Sequence, residues 1–309
     1  MDMQSVALSF NSRLSRNRTA AWRYMRGGPG HFLMYVFGRF RVIRSMVAWA
    51  YTRRLSSAPV SAGASFIDDV DVDCAVRAIL RDGYFSGLRL RADVLEEVRQ
   101  FSLMSTCFGD EDSQLPFRLA DKALAEQRYS RRLKVGRFDD VLQTCPAVLG
   151  LASDPTLMAI ARGYLGTQPV LLGARMWWSF PAEANATQQM SLGQGFHFDI
   201  DGYRALAFFF YLTDVTPSSG PHICVRGSHL EKPLKALISL RKGRSDAEIT
   251  TWYGTERQVA LCGSAGSGFA EDIFCYHKGS HPESGERLIL QLRYGLQRYD
   301  RNLPEPYRT

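Results

Sequence analysis

His197-Phe198-Asp199 is the pair of residues most able to do chemistry in this chain. Two residues apart on an extended segment, an imidazole and a carboxylate project to the same face. They make two thirds of a two-histidine, one-carboxylate facial set, which suits non-haem Fe(II) because half the coordination sphere stays open. The missing imidazole can come from His277, in Asp272-Ile-Phe-Cys-Tyr-His277-Lys-Gly-Ser-His281. An apolar run, read as a strand over Ile273–Tyr276, ends there. A Gly/Ser/Pro loop follows, and Arg287 opens the next strand. A guanidinium beside such a metal can hold a carboxylate with two parallel hydrogen bonds, as the far end of a metal-chelating 2-oxo-diacid requires.

Other candidates compete. Asp201 shares a face with Asp199 and reads as a solvated or substrate-side acid. Arg293 shares a face with Arg287 and is the second choice for the carboxylate. His229 reads as a hydrogen-bonded loop residue, His222 faces a cavity without a role, and His281 and His31 are expected at the surface. Trp177 and Trp178 point to opposite faces, and Phe208, Phe209 and Phe210 divide in the same way.

The elements that must position these residues are helical first and stranded later. Helices are expected over Asp69–Arg81, stopped by Gly83, over Ala92–Cys107, and over Leu157–Tyr164 behind Ser153-Asp154-Pro155. Past Gly166 come short β-type runs: Val170–Ser179, Leu206–Leu212, His222–Val225, Glu256–Leu261, Ile273–Tyr276 and Leu288–Tyr294. At this density they predict a sandwich or barrel of antiparallel strands, an α+β arrangement with helices buttressing a sheet.

The ordered series HxD, "YLTDV…SSGP…GSH" and "HKGS…R…LRY" resembles the phytanoyl-CoA dioxygenase family of Fe(II)/2-oxoglutarate oxygenases. The resemblance covers roughly 240 residues, and the series is more specific than any one motif. It implies a double-stranded β-helix (jelly-roll) core buttressed by N-terminal helices. It also implies His197, Asp199 and His277 as iron ligands, Arg287 on the distal carboxylate of 2-oxoglutarate, and Phe209 lining the cosubstrate pocket. The implied reaction consumes O2 and 2-oxoglutarate and hydroxylates or desaturates a small-molecule or lipid-like substrate. The carboxylate at Asp199 speaks against the related halogenases, which replace that ligand by a small residue. The rival readings are a jelly-roll metalloenzyme that does not use 2-oxoglutarate, and a non-catalytic membrane-associated binding protein.

Charge divides the chain. The net charge is +7 over 309 residues, yet residues 1–56 hold ten Arg, no Lys and one acid, so that stretch alone is +9. A near-neutral body argues against a nucleic-acid groove. Residues 1–56 are therefore a basic, aromatic extension and 57–309 the oxygenase domain, joined by the small-residue linker 55–65. The apolar run Phe32–Tyr51 carries Arg39, Arg41 and Arg44, too many charges for a spanning helix. It either packs on the domain or touches an anionic membrane surface. Six scattered cysteines without a CxxC pair or a visible signal peptide read as reduced thiols in a cytoplasmic protein, peripheral to a membrane if the extension binds lipid.

Overall fold

A computed structural model describes residues 28–52, 63–183, 193–239 and 243–299. The Arg-rich stretch before Gly28 and most of the 55–65 linker lie outside the described residues. The helices are α1 (Pro29–Phe37), α2 (Arg41–Thr52), α3 (Val72–Asp82), α4 (Ala92–Met104), α5 (Lys122–Arg128), α6 (Val141–Thr144), α7 (Pro146–Leu151), α8 (Pro155–Leu165), α9 (Leu234–Ile238) and α10 (Asp246–Tyr253). The strands are β1 (Tyr84–Arg89), β2 (Cys107–Gly109), β3 (Pro116–Phe117), β4 (Val135–Phe138), β5 (Val170–Ser179), β6 (Ala205–Tyr211), β7 (His222–Val225), β8 (Gln258–Leu261), β9 (Ser267–Asp272), β10 (His277–Gly279) and β11 (Arg287–Gly295).

Eight strands form one antiparallel sheet in the order β1-β9-β6-β11-β5-β4-β2-β3, and three form a second, β10-β7-β8. This is the jelly-roll expected from the sequence. Alternation along β6 sorts the layers. Leu206, Phe208 and Phe210 join the core beneath the helices, whereas Ala207, Phe209 and Tyr211 join the core that faces the small sheet. β11 does the same: Leu288, Leu290 and Leu292 lie on the helix side and Ile289 on the other. Strands buried on both faces carry continuous apolar runs, which is why β6 and β11 are plain in the sequence, whereas β5 keeps Val170 and Arg175 exposed.

Local signals set the helix ends. Asp71 accepts a hydrogen bond from Cys74 N at the start of α3, and Gly83 closes that helix at φ 88°, where a Cβ is disfavoured. Asp154 caps α8 by accepting from Thr156 N and Leu157 N, with Pro155 following it as expected. α3 begins at Val72, three residues after the expected start, and α4 ends at Met104, because Cys107 belongs to β2.

Two larger expectations are corrected. Ile273–Tyr276 is a buried turn between β9 and β10, not a strand, so His277 opens a strand instead of ending one. Asp272 folds that turn: its backbone carbonyl accepts from Cys275 N and its Oδ1 from Phe274 N. The run is apolar because its side chains are buried, at 4% exposure or less, and not because it pairs. His31 is 9% exposed on α1 and stacks on Tyr299, with ring centroids 6.2 Å apart, instead of lying at the surface.

α1 and α2 rest against the body. Met34 packs with Phe196 and Phe198, and Ala48 joins the helix-side core. Arg39 is buried, donating to Tyr35 O and Ser239 O. Arg44 lies over the Phe274 ring at 3.9 Å and pairs with buried Asp272 at 3.3 Å. Among the described residues, no helix is long and apolar enough to cross a membrane.

Candidate metal centre

The segment Gly193–Asp199 runs antiparallel beside β10 and is held there by its backbone. His197 N donates to His277 O at 2.9 Å, His277 N donates to His197 O at 2.8 Å, and Gly279 N donates to Gly193 O at 3.0 Å. A mutually bonded pair of this kind puts its two side chains on one face. The imidazole centroids are 4.5 Å apart. Asp199 N donates to Ile273 O, which fixes the carboxylate two residues further on. One donor atom from each of His197, Asp199 and His277 lies within 4.8 Å of the others. His277 Nε2 is 3.9 Å from Asp199 Oδ2.

The tautomers follow from the backbone. His197 Nδ1 sits 2.8 Å from Gly195 O, and His277 Nδ1 sits 3.0 Å from Cys275 O. A carbonyl can only accept, so each Nδ1 carries the proton and each Nε2 keeps its lone pair for a metal. Burial pushes His277 down to about 4, with Glu271 opposing, so the ring is neutral and ready to coordinate at neutral pH.

Arg287 opens β11 opposite Ser179 of β5. It is 2% exposed and donates from Nη2 to Ser179 Oγ at 3.0 Å. Its Nε and Nη1 are buried and have no hydrogen-bond partner among the described residues. Burial lowers its proton affinity, but a guanidinium stays charged. Gly279, two residues beyond His277, leaves room for it: a Cβ there would lie 3.1 Å from Nη2. Two strand rises separate Gly279 from His277, roughly 6.6 Å. The cation with two unused donors therefore sits about that far along the cavity wall from the histidine pair. Phe209 is on the same inner face, stacked on Phe269 at 4.8 Å and 4.9 Å from His222.

The competing residues have other partners. Arg293 and Asp201 pair with each other at 2.6 Å, removing both from the metal and the carboxylate. His229 is buried at the Gly-Ser-His turn with Nε2 3.2 Å from Leu80 O. His281 is half-buried instead of solvent-exposed, and burial lowers its proton affinity. His222 stacks on His277 at 5.4 Å and bonds Glu271 Oε2 at 2.7 Å. Burial holds His222 down to about 3 and Glu271 up to about 8, so this contact is a neutral hydrogen bond rather than an ion pair.

Three residues near the site carry no sequence signal of their own. Ser179 and Glu271 lie at or near the ends of ordinary strands; cross-strand register brings Ser179 to Arg287, and packing of the two sheets brings Glu271 to His222. Gln194 is 6% exposed with both amide atoms unpartnered among the described residues, three positions before His197. A glutamine in a Gly-rich stretch has no distinguishing spacing.

The chain is similar to solved structures of the non-heme alpha ketoglutarate dependent epimerase SnoN from nogalamycin biosynthesis. One covers 77% of this chain and 90% of SnoN, at 15% identity and a TM-score of 0.51. The other, SnoN in complex with Fe3+, alpha ketoglutarate and nogalamycin RO, covers 77% and 93%, at 16% identity and a TM-score of 0.52. At such identity the likeness establishes a shared fold. No protein-family model matches the chain, and no curated protein matches it.

Proposed function

We propose that this chain is an Fe(II)- and 2-oxoglutarate-dependent oxygenase whose metal is held by His197, Asp199 and His277. The observation that carries the reading is Arg287, a buried guanidinium with two unpartnered nitrogens beside a two-histidine, one-carboxylate set. Buried donors are normally satisfied, so an arginine left with unused donors in a cavity wall calls for an anionic guest. The residues fit both groups: two neutral imidazoles and a carboxylate for the metal, and a bidentate fork for the cosubstrate's distal carboxylate. When bound, iron and 2-oxoglutarate supply oxidative decarboxylation with O2, giving succinate and CO2 and oxidising substrate.

The protein contributes position. Gly195 O and Cys275 O hold the imidazole tautomers, Ser179 orients Arg287, and Phe209 closes the inner wall against water. With Asp199 filling the third protein position, the product is a hydroxylated or desaturated small molecule or lipid-like compound. The direct test is succinate formation by the Fe(II)-loaded full chain against a panel of small molecules. It should need both 2-oxoglutarate and O2 and be lost in His277→Ala. Substrate turnover without succinate would assign a jelly-roll metalloenzyme of another kind.

Residues 57–309 carry this activity, and the 1–56 extension touches an anionic membrane surface, its helices at 29–52 docking on the body. Leu33, Phe37, Val42, Met46 and Trp49 on α1 and α2 are 42–69% exposed, and they lie within the 1–56 stretch, whose net charge is +9.

A further inference from the structure

Behind the histidine pair lies a second cluster with different chemistry. Cys224 on β7 is the cross-strand partner of His277, and Cys275 precedes His277 by two residues. Both thiols and the Glu271 carboxylate are fully buried, and one donor atom from each lies within 4.8 Å of the others. His229 adds an imidazole, with Nδ1 3.5 Å from Cys275 Sγ. Its Nε2 faces the Leu80 carbonyl, which can only accept, so in the neutral ring the Nδ1 lone pair points at the sulfur.

Two further observations point to a guest. Glu271 Oε1 is buried with no hydrogen-bond partner among the described residues. Gly83 stands over the cluster at φ 88°, where a Cβ would collide with Cys275 Sγ and come within 2.7 Å of His229 Nδ1.

We propose that Cys224, Cys275 and Glu271, with His229 hydrogen-bonded beside Cys275, form a second metal site for a thiophilic cation of the zinc(II) type. Two thiolates select such a cation, whereas the open nitrogen and oxygen set at His197, Asp199 and His277 suits iron. Loading forms two metal–sulfur bonds and one metal–oxygen bond, and releases both thiol protons and the Glu271 carboxyl proton to solvent. The site ties β7, the end of β9 and the 273–276 turn together behind His277, so its metal is structural. The proposal does not depend on the oxygenase reading.

The test uses the reduced, chelator-treated full chain titrated with Co2+. The expected result is one equivalent giving intense thiolate-to-cobalt charge transfer and tetrahedral bands, displaced by Zn2+. The bands should persist in His197→Ala and in Cys74→Ser/Cys262→Ser, and vanish in Cys224→Ser or Cys275→Ser. Absence of charge transfer in the folded wild-type chain overturns the proposal, as does its survival in the Cys275→Ser variant. If the Cys224 and Cys275 variants do not fold, X-ray absorption of the zinc-loaded wild type decides. Two sulfur neighbours at about 2.3 Å support the site, and nitrogen and oxygen neighbours alone overturn it.

Discussion

His197 and His277 are locked side by side by their own backbones, each amide donating to the other's carbonyl at 2.9 and 2.8 Å. The pairing puts one histidine from an irregular segment and one from the first residue of β10 on the same side of the cavity. Neither side chain has to find the other, because register has already done it. Asp199, pinned through Ile273 O, completes the set two residues on.

That arrangement predicts unequal effects of histidine substitutions on iron. Removing His197, Asp199 or His277 should abolish stoichiometric Fe(II) binding in equilibrium dialysis. His281→Ala should leave it within a few-fold, because His281 lies outside the group of three. Iron retained in His277→Ala but lost in His281→Ala would reverse the assignment.

Arg287 should govern the cosubstrate. Truncating one partner of a buried, charge-assisted pair costs about 2–5 kcal/mol. At about 1.4 kcal/mol per decade, Arg287→Ala should raise the 2-oxoglutarate requirement by tens- to thousands-fold. Arg287→Lys should recover part of this, since an ammonium lacks the planar fork. Ser179→Ala should weaken binding less, because Ser179 orients the guanidinium without meeting the guest. Isothermal titration of the Fe(II)-loaded variants measures all three.

Arg44 and Asp272 tie α2 to the end of β9. Asp272 is fully buried, also accepts from Tyr164 OH at 2.5 Å, and is held below the usual carboxylate range because Arg44 and its other partners outweigh burial. Arg44→Ala leaves that carboxylate without its cation and should cost about 3–5 kcal/mol in urea unfolding. An Arg44→Met/Asp272→Asn double variant should lose less than Arg44→Ala alone.

The exposed face of α2 can be tested without disturbing this contact. Replacing Val42, Met46 and Trp49 by Ser should reduce partitioning onto phosphatidylserine-containing vesicles by at least tenfold, at about 1.5–3 kcal/mol for each fully buried large side chain. The melting temperature should hold, because all three are more than half exposed. Vesicle binding that is absent in the full chain would remove the membrane reading.

Acid should destabilise the metal-free protein. His222 and His277, held at about 3 and about 4 against an ordinary 6.5, take up protons on unfolding below pH 6.5. Glu271, held at about 8 against 4.5, releases one on unfolding and offsets one of the two histidines. The unfolded state then binds more protons, so stability falls as pH drops from 6.5 towards 4. Denaturation midpoints measured across that range should fall steadily, and a flat profile would contradict the burial of the two histidines.

How much of this was legible in the sequence depends on which force set each feature. β6 and β11 carry long apolar runs because both faces are buried, and their bounds are evident. The HxD pair, His277 and Arg287 were legible because their spacing and order carry the chemistry. The turn at Ile273–Tyr276 was misread because burial makes a turn as apolar as a strand. β9, with Gly268, Glu271 and Asp272, was missed because its polar residues are satisfied by partners far along the chain. Ser179 beside Arg287 is a product of cross-strand register and Glu271 beside His222 of sheet-on-sheet packing, neither of which a local pattern encodes.

The central claim is most directly tested by anaerobic titration of the chelator-treated full chain with Fe(II) and then 2-oxoglutarate, followed by visible absorption. The account predicts a metal-to-cosubstrate charge-transfer band that saturates at one 2-oxoglutarate per chain, disappears in His277→Ala and needs far more 2-oxoglutarate in Arg287→Ala. A folded, iron-loaded wild-type chain that develops no such band at any 2-oxoglutarate concentration would contradict it.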